Sequence, residues 1–226
     1  MAYISFQPSD YFNTKLYTGT GSSNALTGVG FQPDIVWIKE RDGTNNHNLF
    51  DSVRGAGKLL KTDNDTAEGT TSEGVKSFDS DGFTCGTNSS LNGNGQSFVS
   101  WNWKAGTTSG INTTGADITP SSYSMSATSG ISIIKYTGNG TDGAKIAHAL
   151  GDVPEMMIIK RLDNSNYWAV FQESDVTDYL VFNTSAAFSD APIWKDTAPT
   201  SVYYQTDNSG SVNASGDNLV AYCFKS

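Results

Sequence analysis

One glycine-rich stretch has the spacing of a cofactor site. Residues Gly138–Gly143 read G-x-G-x-x-G and follow an apolar run, the pattern of a dinucleotide-binding loop. Such a site needs a helix whose first N–H groups face the pyrophosphate. Ala144 to Leu150 is too short for that helix, and Gly151 interrupts it. We therefore predict a turn between strands and no bound cofactor.

A second stretch resembles the start of a calcium loop. Asp79, Asp81 and Gly82 place two carboxylates at alternate positions before a glycine. The further Asn or Asp and the closing Glu of an EF-hand do not follow. The sequence therefore predicts a turn before Phe83 and no metal site.

Residues for nucleophilic catalysis are not grouped in the sequence. No serine stands in a G-x-S-x-G motif, and neither Cys85 nor Cys223 has a histidine nearby. His47 and His148 share no local pattern, and the carboxylates form no recurrent pair. We expect a protein that is not an enzyme, with both cysteines as free thiols in the core.

A compact basic loop could make an assembly contact. It runs from Arg54 to Lys58 and contains two glycines, which allow unusual backbone angles. Its charges could meet an acidic partner or a neighbouring copy of the chain. The alternative is a solvated turn. Arg54 and Lys58 are the candidate contact residues.

These motifs lie within a chain that repeats itself. The stretch Gln32–Lys39 carries proline, an acid, four apolar residues and lysine, and Val153–Lys160 returns them in the same order. Pro33 and Pro154 are 121 positions apart, as are Lys104 and Lys225. This constant interval predicts a tandem duplication of one domain.

The repeated elements have the character of short β-strands. Proline is tolerated at the first position of a strand, and Asn, Asp, Ser and Gly clusters between the apolar runs favour turns. We predict an all-β chain of two tandem, mutually similar β-sandwich domains of jelly-roll type. Residues 1–106 and 131–226 would form the domains, and the Ser/Thr/Gly-rich residues 107–130 would link them.

An aromatic row alternates along the last strand of the first copy. Val99, Trp101 and Trp103 share one face at period two, which predicts the core face. The alternative is a stacking platform for a sugar, with rings left exposed. Trp37 and Ile158 are interpreted as equivalent core positions, so that Trp37→Ala would cost about 3–5 kcal/mol.

The charge balance excludes some partners. Asp and Glu number 23 against 14 Lys and Arg, for a formal net charge of -9. Phosphate affinity depends on cations that displace counterions, so we expect no nucleic acid. No segment approaches the roughly 20 apolar residues that span a bilayer, and we expect no signal peptide and no membrane insertion.

Several motifs together resemble a known family. Those of the first half are Tyr17–Gly21, Gly30–Lys39, Asp51–Gly55, Ser77–Phe83 and Trp101–Gly106, and those of the second are Ile134–Gly140, His148–Gly151 and Val220–Phe224. They resemble two variants of a repeat domain found in structural proteins of marine bacteriophages. The resemblance covers nearly the whole chain and implies a tail, tail-fibre or other virion component.

The resemblance implies a non-enzymatic virion structural protein, associated with the tail or fibre or decorating the capsid. It would be assembled in the host cytoplasm as a homo-oligomer, with other virion proteins as partners. The alternative is a host-receptor or carbohydrate-binding module of the tail that takes a host surface glycan. Its candidate stacking residues are Trp168, Trp194 and Tyr203. A polysaccharide hydrolase would need paired carboxylates roughly 5–10 Å apart.

Overall fold

The computed structural model describes residues 7–226 and is all-β, as the sequence predicts. Its helices are a 3-10 turn, Pro8–Asp10, and α1, Ser89–Asn92. No helix among the described residues is long and apolar enough to cross a membrane. The strands are β1 Phe12–Thr18, β2 Asn24–Thr27, β3 Ile35–Glu40, β4 Asn48–Asp51, β5 Lys58–Lys61, β6 Gly69–Thr70, β7 Val75–Asp79, β8 Gly82–Cys85, β9 Ser97–Trp103, β10 Ser122–Ser126, β11 Ile131–Thr137, β12 Ala144–Ala147, β13 Met156–Arg161, β14 Ala169–Gln172, β15 Asp175–Val181, β16 Ser189–Asp190, β17 Tyr203–Thr206 and β18 Asn218–Phe224.

The chain divides into two units. Unit 1 runs to Thr62 and resumes over Glu68–Ala105, whereas unit 2 comprises Asp63–Ala67 and Gly106–Ser226. The short loop Asp63–Ala67 therefore belongs to unit 2, although it lies within the first repeat of the sequence.

The residues expected to form a linker, 107–130, belong to unit 2. They contain β10, which pairs with β11 along its whole length, and Thr107 forms a bridge with Met125. Tyr123 and Met125 alternate with serines and pack against the unit 2 core. Within this segment β10 is the first strand of the seven-stranded sheet, where the composition had indicated a flexible connection.

Unit 1 is a β-sandwich of two unequal antiparallel sheets. The larger has the order β1-β9-β3-β4-β5-β6, and the smaller has the order β2-β8-β7. The core between them combines residues of the large sheet with residues of the small one: Val36, Ile38, Phe50 and Phe98, and Leu26, Phe83 and Cys85.

Unit 2 also contains one large and one small antiparallel sheet. Its seven-stranded sheet has the order β10-β11-β18-β13-β14-β15-β16, and the small sheet pairs β12 with β17. The core joins Ile159, Phe171 and Leu219 of the large sheet to Ile146 and Tyr204 of the small one. The strands are divided unevenly between the two sheets, unlike the two four-stranded sheets of a jelly roll.

The proline-led strands occupy interior positions in the two large sheets. β3 pairs with β4 and β9, and β13 pairs with β14 and β18. Pro33 and Pro154 precede these strands, so that their missing N–H groups lie outside the ladders.

The prediction that Trp37 and Ile158 are core positions is wrong. Val36 and Ile38 face the unit 1 core and are fully buried. Because side chains alternate between the faces of a strand, Trp37 projects from the opposite face, where it is half-buried. Ile158 lies between the core residues Met157 and Ile159 and is also half-buried. The large cavity cost of a buried tryptophan therefore does not apply to Trp37.

A buried asparagine ties three loops of unit 1 together. The Asn92 side chain is fully buried. Its Oδ1 accepts hydrogen bonds from the Thr20 N–H, at 2.9 Å, and from Asn24 Nδ2. Its Nδ2 donates to the carbonyl oxygens of Ser22 and Gly86 at 2.6 and 2.8 Å. One amide group thus satisfies three backbone polar groups and the side-chain amide of Asn24.

Unit 2 contains an asparagine with the same kind of contacts. Asn213 is fully buried, and its Oδ1 accepts from the Asn139 N–H at 2.9 Å. Its Nδ2 donates to Asn139 Oδ1 and to the Thr141 carbonyl oxygen. The glycine-rich loop is thus held as a strand connection, and β12 follows it, which confirms the turn predicted there.

We predict that Asn92→Ala lowers the free energy of unfolding by about 2–4 kcal/mol, because it leaves several buried polar groups unsatisfied. Chemical denaturation measures this loss. Asn94→Ala is the matched control, since Asn94 is an exposed amide in the same loop. Equal stability of the two variants would contradict the structural role of Asn92.

His148 is held in its neutral form inside unit 2. Its Nδ1 accepts a hydrogen bond from the Leu150 N–H at 3.2 Å, and its Nε2 lies 2.9 Å from the Thr200 carbonyl oxygen, to which it donates. The side chain is fully buried. Burial lowers the pKa of His148 below its ordinary value, because a charged ring would lack hydration inside the core. Protonation of Nδ1 would also abolish the hydrogen bond that it accepts from Leu150.

We predict a loss of stability between pH 7 and pH 5 that depends on His148. In the unfolded chain the pKa is about 6.5, so the unfolded state binds the proton first. The stability is fully present above that pH and decreases as pH falls toward the lower pKa of the folded state. Thermal unfolding across this range should show the slope for the natural chain and a flatter profile for His148→Gln. Identical profiles would contradict the assignment.

Candidate functional site

The tryptophans of the first repeat meet on the face of the large unit 1 sheet that points away from its core. Trp101 and Trp103 lie on β9. Trp37 lies on the neighbouring strand β3, directly opposite Trp101. His47 immediately precedes β4, the strand next to β3. We call Trp37, His47, Trp101 and Trp103 the aromatic cluster.

The expectation that the row of Trp101 and Trp103 faces the core is wrong. The residues that alternate with them, Phe98, Ser100 and Asn102, are the fully buried ones. Asn102 is tolerated there because its Nδ2 donates to the Asn13 carbonyl oxygen at 3.0 Å and to Ser100. Because Asn102 is polar but buried, the core face of β9 has the sequence pattern expected for its solvent face.

The rings of the cluster contact one another. The Trp37 ring centroid lies 5.9 Å from that of Trp101, with the planes inclined by 62°, and 6.5 Å from that of Trp103, with an inclination of 29°. His47 lies 6.4 Å from Trp37. Phe12 extends the row, since its ring lies 4.9 Å from Trp103.

The four residues of the aromatic cluster line a cavity of about 340 Å³. Each of them is half-buried, so parts of the ring surfaces are accessible while their attachment to the sheet is covered. Phe12 at the end of the row is 37% exposed. The arrangement can present an apolar, rigid surface to a small ligand.

The corresponding positions of unit 2 carry other residues. Ile158 pairs with Tyr222, as Trp37 does with Trp101, and Phe224 ends β18 where Trp103 ends β9. Tyr222 is buried, at 3% exposure. Tryptophan at these three positions is therefore a feature of unit 1 alone.

Two of the three predicted stacking residues cannot offer a ring to a ligand. Trp168 and Trp194 are each 1% exposed. The Trp168 Nε1 donates to the Asn64 carbonyl oxygen at 3.1 Å, and Trp194 packs edge-on against Phe171. Large apolar rings gain much from burial in a core. Neither tryptophan lies in a stretch where apolar and polar residues alternate, so the sequence did not show which face it occupies.

Tyr203, the third predicted stacking residue, is half-buried. Lys145 Nζ lies 5.3 Å from the centre of its ring. This ring is therefore covered in part by a cation of the neighbouring strand, which pairs with β17.

Arg54, predicted as an assembly contact, is a buried structural cation. Its side chain is 1% exposed and is paired with Asp51, which is fully buried, and with Glu68. Its guanidinium also donates to the carbonyl oxygens of Leu49 and Lys58. The loop folds inward because burying a guanidinium requires partners for most of its five N–H groups.

Lys58 remains accessible, in contrast to Arg54. Its side chain is 41% exposed, and its Nζ lies 3.4 Å from Glu68 Oε1 and donates to Thr70 Oγ1. Of the two predicted assembly residues, Lys58 alone could meet a partner without rearrangement of the loop.

We predict that Arg54→Ala destabilises the protein by about 3–5 kcal/mol, because Asp51 is left as a buried carboxylate without its cation. Lys58→Ala, in the same loop, should cost less than about 1 kcal/mol, as exposed ion pairs contribute little. Denaturant titration of both variants tests the contrast. A mild effect of Arg54→Ala would show that the buried pair is dispensable.

The two cysteines are free and buried, as predicted. Burial raises the pKa of both the Cys85 and the Cys223 thiol to about 12. Each thiol is thus kept protonated, and the protonated form is a poor nucleophile.

The Asp81 carboxylate of the predicted turn binds backbone N–H groups of a neighbouring loop. Asp81 Oδ1 and Oδ2 accept from the N–H groups of Gly30 and Gly28 at 2.6 and 2.9 Å. These hydrogen bonds lower the pKa of Asp81. Among residues 7–226, no three His, Cys, Asp or Glu side chains are grouped so that they could hold a metal ion.

The fold and the cluster together define an all-β protein with an aromatic surface on one sheet. The chain belongs to the family described as a domain of unknown function, DUF7483, whose model matches residues 7–226. No curated protein and no solved structure matches the chain.

Proposed function

We propose that the chain is a non-enzymatic structural protein of a bacteriophage particle, built from two tandem copies of one β-sandwich domain. It acts through protein–protein assembly, at the tail or fibre or on the capsid surface. The resemblance of its motifs to phage structural repeats supports this role.

The observation that carries the proposal is that the same scaffold contacts occur in both units. Asn92 and Asn213 are 121 positions apart, and each secures the loop that follows the first strand of its repeat. A tyrosine hydroxyl donates to the Leu91 carbonyl oxygen in unit 1 and to the Val212 carbonyl oxygen in unit 2, both at 2.6 Å. Leu91 and Val212 hold the same interval.

A third pair of contacts also recurs, with its residues 121 positions apart. Asp42 accepts from the Ser97 N–H, and Asp163 accepts from the Asn218 N–H. The residues that the repeats share thus hold loops and strand ends in place. A duplicated scaffold of this kind suits a building block that is mounted in many copies.

The surface chemistry supports protein partners. The net charge is -9, which disfavours polyanions such as nucleic acid. Other virion proteins and further copies of the chain are the proposed partners. Lys58 is the accessible member of the predicted contact loop.

Purified particles of the phage that encodes the chain should contain it in many copies. Quantitative mass spectrometry of gradient-purified particles measures the copy number, and imaging of intact particles locates the protein on tail, fibre or capsid. A host protein of similar abundance in the lysate is the control for carry-over. Loss of the chain from particles during purification, in parallel with that host protein, would overturn the proposal.

A further inference from the structure

We propose that the aromatic cluster of unit 1 is a binding site for a neutral saccharide, which stacks a pyranose ring on the tryptophans. The carbon-bound hydrogens of a pyranose form an apolar face, while its hydroxyl groups point outward around the ring. A rigid indole surface covers such a face without having to satisfy those hydroxyls.

The second unit indicates that the fold does not need these tryptophans. Ile158, Tyr222 and Phe224 occupy the equivalent places in unit 2, where a seven-stranded sheet forms without tryptophan at these positions. Three indoles on one face of a single unit are therefore more than the scaffold requires.

The ring geometry favours a platform over a cage. A guest held between two parallel rings needs about 7 Å between the planes, since each contact spans about 3.5 Å. The centroids of Trp37 and Trp103 are 6.5 Å apart, and those of Trp37 and Trp101 are 5.9 Å apart. Neither pair leaves that space between its rings, so a guest stacks on the outer ring surfaces. A quaternary ammonium group does not fit between Trp37 and either of these two indoles.

The size and the rim of the site suit a short saccharide. The cavity of about 340 Å³ lies at the lower end of the range for small-molecule sites, about 300–1,000 Å³. Thr14 is exposed and pairs with Trp101 across β1 and β9. Its hydroxyl therefore stands at the edge of the platform, where the hydroxyl groups of a stacked sugar would lie.

The charge of the chain favours a neutral ligand. A net charge of -9 repels sulfated or carboxylated polysaccharides. The site does not depend on the proposed role in a particle, because binding can be measured on the purified chain.

The test is a glycan array with the full chain, followed by calorimetric titration and tryptophan fluorescence with the neutral oligosaccharide that binds best. Dextran sulfate and choline chloride are titrated in parallel. Trp37→Ile places the unit 2 residue at this position and removes a ring, and Trp103→Ala removes a second. Trp103→Phe keeps a smaller ring. Leu16→Ala is the control, because Leu16 is 58% exposed on the same sheet face.

We expect each ring-removing variant to weaken saccharide binding about tenfold, as loss of one stacking contact implies. Trp103→Phe should retain most of the affinity, and Leu16→Ala should leave it unchanged. Thermal unfolding verifies that Trp37→Ile remains folded, so that a loss of binding can be assigned to the site.

Three results would overturn the assignment. The first is that the chain binds no neutral saccharide at saccharide concentrations up to the order of 10 mM, which corresponds to the weakest affinity of interest. Another is saccharide binding that survives removal of both rings. The third is ring-dependent binding of choline or dextran sulfate, or ring-dependent self-association, in place of saccharide binding. Each is independent of whether particles contain the chain.

Discussion

The alternation of side chains along the interior strands is the constraint on which the architecture depends. β3 and β9 are paired on both sides, so neither can rotate or slip without moving every side chain to the other face. With Val36 and Ile38 fixed in the core, Trp37 must project outward, and the register then places it beside Trp101. The aromatic cluster follows directly from the placement of two aliphatic residues.

Much of the fold could be predicted because it depends on local patterns. Apolar runs bounded by turn residues indicated short strands, and the 121-residue interval indicated repetition. The faces of the strands were harder to predict. Phe98, Ser100 and Asn102 form the more polar side of β9 in the sequence, yet they are buried. The Asn102 Nδ2 donates to Ser100 and to the Asn13 carbonyl oxygen, and the latter is distant in sequence.

The candidate site was predicted only as an alternative, for the same physical reason. An alternating aromatic row is compatible with either face of a sheet, and the choice depends on the packing of the opposite sheet. Burial of Trp168 and Trp194 likewise results from long-range contacts. Arg54 shows the reverse case, since a basic loop that looked solvated holds its charge beside a buried carboxylate. Single charges and rings carry little information about their own burial.

The loop Asp63–Ala67 folds with residues that are distant from it in sequence. It is encoded between strands of the first repeat but belongs to unit 2, where its backbone accepts from Trp168 Nε1 and from the Asn166 N–H. A second half separated from the first would lack both of these acceptors. The boundary between the units therefore does not coincide with a single point in the sequence, because residues 63–67 fold as a component of unit 2.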